Sequence, residues 1–541
     1  MNDLTARAQG LRGALLICFA AGGLMGCANP LAISTSDFAR VPEDRIATIR
    51  SLKIEPAGVD DSNTVDGDLP STILGSSEVT ELSLDAVRRH ALENNLDLRA
   101  AAFDSEIAQQ AVDEEIARFD SVFRIDASYS ETDTPTSSTL NNAQADQVFV
   151  QPALIQPLLT GGSVELSLPL TRSSTNNQFT TLDPAFESDF VVRLTQPLLR
   201  GGGRERATAN VRIAGIERAV AEVRTRAAVT TTLSGVDRTY WELWASRRQL
   251  ELRIEEFEVA RDVLAQAERL VEAGAAAEIE VIRAQAGVSD LLSGILQIEQ
   301  IVLRRQRELK RAMNLGSLRV SDESIVVPTT DPSPAPLDLD RDALLDVAAE
   351  TRSELLELEL QLIADATRID AAENDRLPQL DLTASYRRNG LGDGFDSSIE
   401  QLYQDDFSEY SVGVTASIPI GNRAADARLR RATLQRLSRI ATRDAREQTI
   451  EQDVLDAVER IRSDWQRIIA GRQSVTLNAR SLAAEQRQFQ EGLSNSVDVL
   501  QAAGRLAAAR AEEIRAVADY ELARIALAEA TGTVVGFVFD D

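Results

Sequence analysis

The side chains that most often carry out chemistry in enzymes are scarce in this sequence. Its single histidine, His90, stands in the stretch DAVRRHALENN, where we expect a helix surface. Its two cysteines are Cys18 and Cys27. Catalytic triads that depend on histidine and metal sites built from His and Cys need several such residues together. The sequence therefore predicts neither an enzyme nor a cofactor.

Carboxylates are the abundant reactive groups, and two of them occupy matching places. The chain has 85 Asp and Glu against 57 Lys and Arg, a net charge of −28, which argues against nucleic acid as a partner. Glu280 lies six residues after Gly274, and Asp498 lies six residues after Gly492. The two segments, EAGAAAEIEVIRA (272–284) and QEGLSNSVDVLQA (490–502), align at an offset of 218. Their role depends on the elements that hold them.

The N-terminus carries the pattern of an exported lipoprotein. Arg7 and Arg12 precede a short apolar run that ends in Leu-Met-Gly-Cys at Cys27. This ending resembles the bacterial lipobox, which implies cleavage before Cys27 and acylation of that residue. The alternative is an ordinary signal peptide with a chance cysteine. No apolar run after Cys27 is long enough for a membrane-spanning helix, so a membrane span would require a closed β-barrel.

Long coiled-coil helices are the strongest structural signal. Apolar residues recur every seventh position on both sides of Gly274, which predicts a helical hairpin whose first arm is about 100 Å long. These residues are Val236, Leu243, Leu250, Phe257, Leu264 and Val271, followed by Val281, Val288, Ile295, Val302 and Leu309. No proline lies between Leu198 and Val327 or after Pro419, so long helices are permitted in both regions.

The two halves of the chain repeat one plan of helix, strands and hairpin. Residues 91–129 align without a gap with a segment 257 residues later. The predicted divisions are a signal peptide (1–26), an extended segment (27–80), a first repeat (81–325) with strands at 121–198 and a hairpin at 205–315, a Pro-rich linker (326–340), a second repeat (341–533) with strands at 379–420 and a hairpin at 424–531, and a tail (534–541).

The strands alternate apolar and polar residues. Leu380, Leu382, Ala384 and Tyr386 would share one face, with charged and polar residues on the other. Such a pattern fits both a membrane barrel and a soluble sheet that covers a core.

The nonapeptide LIQPLLTGG (154–162) returns as LTQPLLRGG (194–202). We expect the first copy to be a tight turn into a further strand, SVELSLPLTR. The second copy would be a corner where a strand becomes a helix. The predicted corner residues are Pro197, Gly201, Gly202 and Gly203 in the first repeat and Pro419 and Gly421 in the second.

The order and doubling of these segments resemble the TolC-like outer membrane efflux proteins, here of lipoprotein type. The resemblance rests on LTQPLLRGGGRERA, ASIPIGNRAADARL and EGLSNSVDVLQA. It implies an α+β membrane protein: a homotrimer whose transmembrane β-barrel continues into a long periplasmic α-helical coiled-coil barrel, with two tandem repeats per chain. The family usually has two strands in each half, whereas the first half of this chain has room for two or four.

The resemblance also implies roles for residues at the hairpin tips. Asp498 and Glu280 would form a pore constriction that attracts cations; the alternative is ordinary solvated charge. Contact with a periplasmic adaptor would involve residues around the two turns: Gly274, Gly492, Leu493, Ser494, Asn495, Val497 and Val499.

The function implied is a passive exit duct of a tripartite efflux or secretion system. Its partners would be a periplasmic adaptor (membrane fusion) protein, an inner-membrane transporter and outer membrane lipid. It would lie in the outer membrane of a Gram-negative bacterium, anchored by lipid and extending into the periplasm. The alternative is a periplasmic coiled-coil adaptor or scaffold that bridges the two membranes.

Overall fold

The computed structural model describes residues 79–136, 143–177, 179–274, 277–404, 407–491, 493–494 and 496–534. Several predicted features lie outside these residues. They are the signal peptide 1–26, the acylation site Cys27, the extended segment up to residue 78, the tip residues Gly492 and Asn495, and the tail from residue 535 onward.

Strands and helices follow one another along the described residues. The strands are β1 (Val79–Leu82), β2 (Val122–Asp133), β3 (Gln144–Pro157), β4 (Ser163–Ser167), β5 (Leu170–Thr175), β6 (Ala185–Pro197), β7 (Ile325–Pro328), β8 (Gln379–Gly392) and β9 (Ser408–Ser417). The helices are α1 (Leu84–Asn94), α2 (Leu96–Ala117), α3 (Arg204–Ala207), α4 (Ala209–Glu272), α5 (Ile279–Met313), α6 (Arg341–Thr351), α7 (Ser353–Asn374), α8 (Phe395–Gln404), α9 (Arg423–Gln490) and α10 (Ser496–Ala530).

The internal repeat is visible in the lengths and starts of the short helices. Helices α1 and α6 both have 11 residues, and α2 and α7 both have 22. The side chains of Ser83 and Asp340 cap the starts of α1 and α6 by accepting backbone N–H bonds. These caps are 257 residues apart, the offset at which the sequence aligns.

Two long antiparallel hairpins dominate the helical part. Helices α4 and α9 have 64 and 68 residues, about 96 and 102 Å at 1.5 Å per residue. The seven-residue apolar period is confirmed as the seam between α4 and α5. Its buried members include Val236, Leu243 and Phe257 on α4, and Val288, Ile295, Val302 and Leu309 on α5.

Helix α5 contains an 18-residue window with a mean hydropathy of 1.2, so by length and composition alone it could cross a membrane. The prediction that no segment after Cys27 would pass that test was therefore wrong. Ile295, Val302 and Leu309 of this helix pack in the core shared with α4, but only 22% of the apolar window is buried.

A single antiparallel sheet joins the strands of both repeats, in the order β2, β3, β4 with β5, β6, β8, β9. Strands β4 and β5 keep one register against both neighbours and are separated by Leu168 and Pro169. Proline has no N–H to donate, so it interrupts the ladder without shifting it. The sheet thus has six strand positions, four from the first repeat and two from the second.

The segment predicted as a plain linker, 326–340, begins inside a strand. Strand β7 pairs in parallel with β1, from Val79 opposite Ile325 to Leu82 opposite Pro328. Val326 is fully buried in the core around α4 and α5, and its N–H donates to the side chain of Gln306. The sequence analysis missed this pair because each strand has only four residues and its partner lies 246 residues away.

Candidate functional site at the hairpin tips

The turns of the two helical hairpins lie near each other. Val499, near the start of α10, packs against Val263 of α4 and Phe489 of α9. A side chain at Gly287 of α5 would be 3.4 Å from Leu500 of α10. Both hairpins are therefore tied together just behind their turns, so the predicted tip residues of the two repeats belong to one surface.

Asp498 lies in the first turn of α10 and is partly exposed. The hydroxyl of Ser494 lies 3.4 Å from its carboxylate and 3.1 Å from that of Glu485, at the end of α9. A carboxylate in the first turn of a helix is stabilised by the positive end of the helix dipole. Asp498 therefore places a carboxylate at the start of α10.

Glu280 occupies the matching place in α5 but has a different partner. The guanidinium of Arg283 donates to its carboxylate at 2.8 Å, across one helical turn. The offset of 218 places Gln501 in the second repeat where the first has Arg283. The burial pattern supports this alignment, because Ala284 and Ala502 are both buried. The charge of Glu280 is thus offset by Arg283, whereas Gln501 occupies the equivalent position in α10.

The other predicted tip residues differ in accessibility. Leu493 is 80% exposed, and Gly274 ends the first arm with a φ of +69° and open space around it. Ser494 and Val497 are partly exposed. Val499 is only 1% exposed, so its prediction as an adaptor contact was wrong. It lies on the inner side of α10, where it holds the two hairpins together.

The predicted corners lie where the sheet joins the long helices. Pro197 is the last residue of β6, and Gly201–Gly203 precede α3. Pro419 and Gly421 lie between β9 and α9. Gly421 has a φ of +87°, a conformation that side chains with a Cβ rarely adopt. The chain therefore changes from strand to helix within a few residues in both repeats.

The two copies of the repeated nonapeptide lie side by side. The first copy turns β3 into β4, since Pro157 pairs with Ser163, while the second leaves the sheet after β6. The side-chain amide of Gln196 donates to the Thr160 carbonyl, and Gly203 donates to the same carbonyl. A Cβ at Gly161 would be 2.3 Å from the Gly201 carbonyl oxygen. Only glycine fits this contact.

A buried charged group that the sequence analysis missed lies in the core at the middle of the hairpins. The guanidinium of Arg88 on α1 donates two hydrogen bonds of 2.8 Å to the carboxylate of Asp237 on α4. The hydroxyl of Tyr240, one turn away, accepts from Thr330 and donates to the Leu82 carbonyl. Nothing local marks Arg88 and Asp237 as partners, because 149 residues separate them.

Beside this ion pair is a cavity of about 230 Å³ that also contains Glu521 and Arg524. Burial raises the pKa of Glu521, although the guanidinium of Arg524, at 2.9 Å, acts in the opposite direction. Two ion pairs line the cavity, Arg88 with Asp237 and Arg524 with Glu521. Within the described ranges, no three His, Cys, Asp or Glu side chains are grouped so that they could hold a metal ion.

Comparisons with known proteins give a family from a sequence model and a fold from solved structures. The family model described as "Outer membrane efflux protein" matches residues 163–315 and 344–533. Among solved structures, VceC from Vibrio cholerae has 17% identity and a TM-score of 0.61, covering 83% of this chain and 96% of its own. CmeC from Campylobacter jejuni has 15% identity and a TM-score of 0.62, covering 90% and 94%. CusC has 17% identity and a TM-score of 0.63, covering 86% of this chain and 98% of its own. No curated protein matches significantly.

Proposed function

Because this chain belongs to the outer membrane efflux protein family, we propose that it is the outer-membrane exit duct of a tripartite efflux or secretion system. The duct is passive: it conducts substrates and catalyses no reaction. One observation carries the proposal. In both repeats a strand of the amphipathic sheet passes through a short corner into a helical hairpin whose first arm is about 100 Å long. A membrane barrel that continues into a periplasmic tunnel requires this connection.

The working form is a homotrimer. Strands β2 and β9 are the two ends of the sheet and have 12 and 10 residues. A sheet in lipid cannot leave such edges open, so they need a partner, and another copy supplies one. The helices also offer apolar surfaces that another copy can cover, because α2 and α9 leave large apolar residues exposed. These include Leu96, Phe103 and Ile107 on α2, and Leu434 and Leu437 on α9.

The partners at the other end are a periplasmic adaptor protein and an inner-membrane transporter. The surface formed by Leu493, Ser494 and Val497 is the proposed adaptor contact, since a leucine that is 80% exposed offers apolar area that a partner can bury. The alternative was a periplasmic adaptor or scaffold that bridges the two membranes. We do not favour it, because this chain belongs to the outer membrane efflux protein family.

Cys27 anchors the chain to the outer membrane of a Gram-negative bacterium. We expect Cys27→Ser to leave an uncleaved or wrongly processed precursor, because the lipobox cysteine accepts the lipid before cleavage. Mass spectrometry of the membrane-extracted chain measures this, with Cys18→Ser as the matched control that should mature normally. A Cys27→Ser chain with the same mature mass as the wild type would contradict lipidation.

The test of the duct is conduction through planar bilayers. The purified protein should form channels that prefer cations, because three Asp498 carboxylates around the axis attract them. Asp498→Asn should lower the cation preference and weaken block by divalent and trivalent cations. Glu280→Gln should do so less, since Arg283 already offsets Glu280, and the double variant should exceed either.

The matched control is Glu491→Gln, which removes a carboxylate from the exposed end of the same hairpin turn. It should leave selectivity and block unchanged. Unchanged selectivity and block in Asp498→Asn would make Asp498 ordinary surface charge. A protein that forms no channel at all would refute the duct itself.

A further inference from the structure

The two repeats contribute unequally to the sheet. The second repeat supplies two strand positions, β8 and β9, and the first supplies four. The surplus in the first repeat is one hairpin, formed by β3 and the β4–β5 strand. It is inserted between β2 and β6, the strands that connect to the helices. Whether this hairpin belongs to the barrel wall decides the number of strands, and therefore the diameter, of a closed barrel.

The surplus strands belong to the wall of the sheet by their register. One row of paired residues crosses all six strand positions and is apolar or aromatic throughout. In order, the row is Phe123, Leu154, Leu166, Val192, Tyr386 and Tyr410. The surplus hairpin supplies Leu154 and Leu166, both more than a third exposed. It therefore continues the apolar face without a gap.

The opposite face is polar over most of its width, although its row begins with the apolar pair Val122 and Ile155. The neighbouring row runs through Ile155, Glu165, Arg193, Ser385 and Ser411. Glu165, in the surplus hairpin, lies 4.0 Å from Arg124 of β2, and Arg387 of β8 lies 3.5 Å from Asp189 of β6. A loop folded over the barrel would not keep its polar residues in step with both neighbouring strands. The hairpin thus has one apolar face and one mainly polar face, which is the pattern of a strand between lipid and water.

The insertion also preserves the direction of the chain. Two added strands return the chain to the edge it left, so β6 still reaches the corner at Gly201–Gly203. The repeated nonapeptide agrees with this return, since its two copies are 40 residues apart in the chain and lie at the same edge of the sheet. A single added strand would have placed the helices on the wrong side of the membrane.

We propose that the surplus hairpin is part of the barrel wall, so that three copies of six strand positions close a barrel of eighteen strands. The proposal rests on the trimer of the proposed function, in which β9 of one copy pairs with β2 of the next. If the first repeat supplied only two strands, as the second does, the barrel would have twelve. Since diameter grows roughly linearly with strand number, the eighteen-stranded barrel is about 1.5 times wider. The barrel in the membrane then restricts the size of the transported molecule less than the tunnel entrance at the hairpin tips does.

The test removes the surplus hairpin without changing the register of what remains. Deletion of residues 145–184 joins Gln144 to Ala185 and places β6 directly beside β2. The 40 deleted residues match the spacing of the repeat, so apolar residues keep their face. A second deletion, 160–199, moves the junction to the repeated nonapeptide and places β3 beside β8 instead.

Electron cryomicroscopy of each protein in lipid nanodiscs measures the barrel directly. With strands 4.8 Å apart and tilted by about 40°, we expect a backbone diameter of roughly 36 Å for the wild type and roughly 24 Å for both deletions. The helical tunnel is the internal control, and its diameter near Arg480 should be unchanged. If one deletion does not assemble, the other and the wild-type strand number still decide.

The outcomes separate the two proposals. A closed wild-type barrel of twelve strands, with β3 to β5 outside the wall, would overturn this inference and leave the duct intact. Deletions with the wild-type diameter would overturn it as well. A wild-type chain that forms no closed barrel would refute the proposed function instead.

Discussion

Replacing Arg88 with methionine should destabilise the protein by about 3–5 kcal/mol, because it leaves the buried carboxylate of Asp237 without its partner. Asp237 is 3% exposed, and Arg88 satisfies it with two hydrogen bonds of 2.8 Å. Methionine has a similar length and keeps most of the packing. The loss should appear as a lower midpoint of thermal unfolding, followed by circular dichroism at 222 nm in detergent.

The destabilisation should depend on pH. Burial raises the pKa of Asp237 above its ordinary value, although the hydrogen bonds and charge of Arg88 act against this rise. A carboxyl whose pKa is raised on folding stabilises the fold below its unfolded pKa, and this contribution is lost as the pH rises through the folded pKa. Without Arg88 the folded pKa rises further. The difference between variant and wild type should therefore be largest near neutral pH and shrink in acid.

Two further variants isolate the buried charge as the cause. Arg89→Met changes the exposed arginine next along α1 and should have little effect. Arg88→Met combined with Asp237→Leu removes both charges and should recover much of the lost stability, since an apolar pair of similar volume often replaces a buried ion pair at little cost. An Arg88→Met protein as stable as Arg89→Met would show that the ion pair contributes nothing.

The features that the sequence predicts correctly are those that a periodic pattern repeats many times. The seam from Val236 to Leu309 repeats over many heptads, so an error at one position does not change the result. The gapless alignment of the two halves likewise fixes α1, α2, α6 and α7 together. Long helices follow from such local signals because their contacts recur every three or four residues.

Single contacts between distant segments are what the sequence does not contain. Arg88 and Asp237 are two charged residues among many until the fold brings them together. The pairing of β1 with β7 depends on four residues in each strand. Val499 carries no mark that separates a buried valine from the partly exposed Val497 beside it. Such features depend on which faces of the helices meet, and composition does not determine that.

The number of strands is an intermediate case, because alternation shows that a strand can form but not where it pairs. The stretch SVELSLPLTR alternates as well in a loop above the barrel as in its wall. The paired rows through Leu154, Leu166 and Val192 resolve this for the sheet. The consequence that an experiment can measure is whether the side chain of Leu166 faces lipid.

Arginine at position 166 should therefore cost about 2–4 kcal/mol of folding stability in the membrane, the range for a charge that faces lipid near the bilayer midplane. The large effect arises because Leu166 lies on the row that is apolar in every strand, with Leu154 and Val192 as its paired neighbours. Urea-dependent folding into lipid vesicles, followed by the heat-modifiable migration of the barrel, measures this cost.

The matched control is Ser411→Arg on β9, in the neighbouring row of paired residues and on the opposite face. Its row already contains Arg193 of β6. If this face lines a water-filled lumen, arginine there remains hydrated and should cost little. Equal costs at the two positions would mean that both faces meet the same surroundings, as in a soluble sheet, and the barrel wall would then have to exclude β4. A large cost at Leu166 with a small cost at Ser411 is expected only if the inserted strand separates lipid from water.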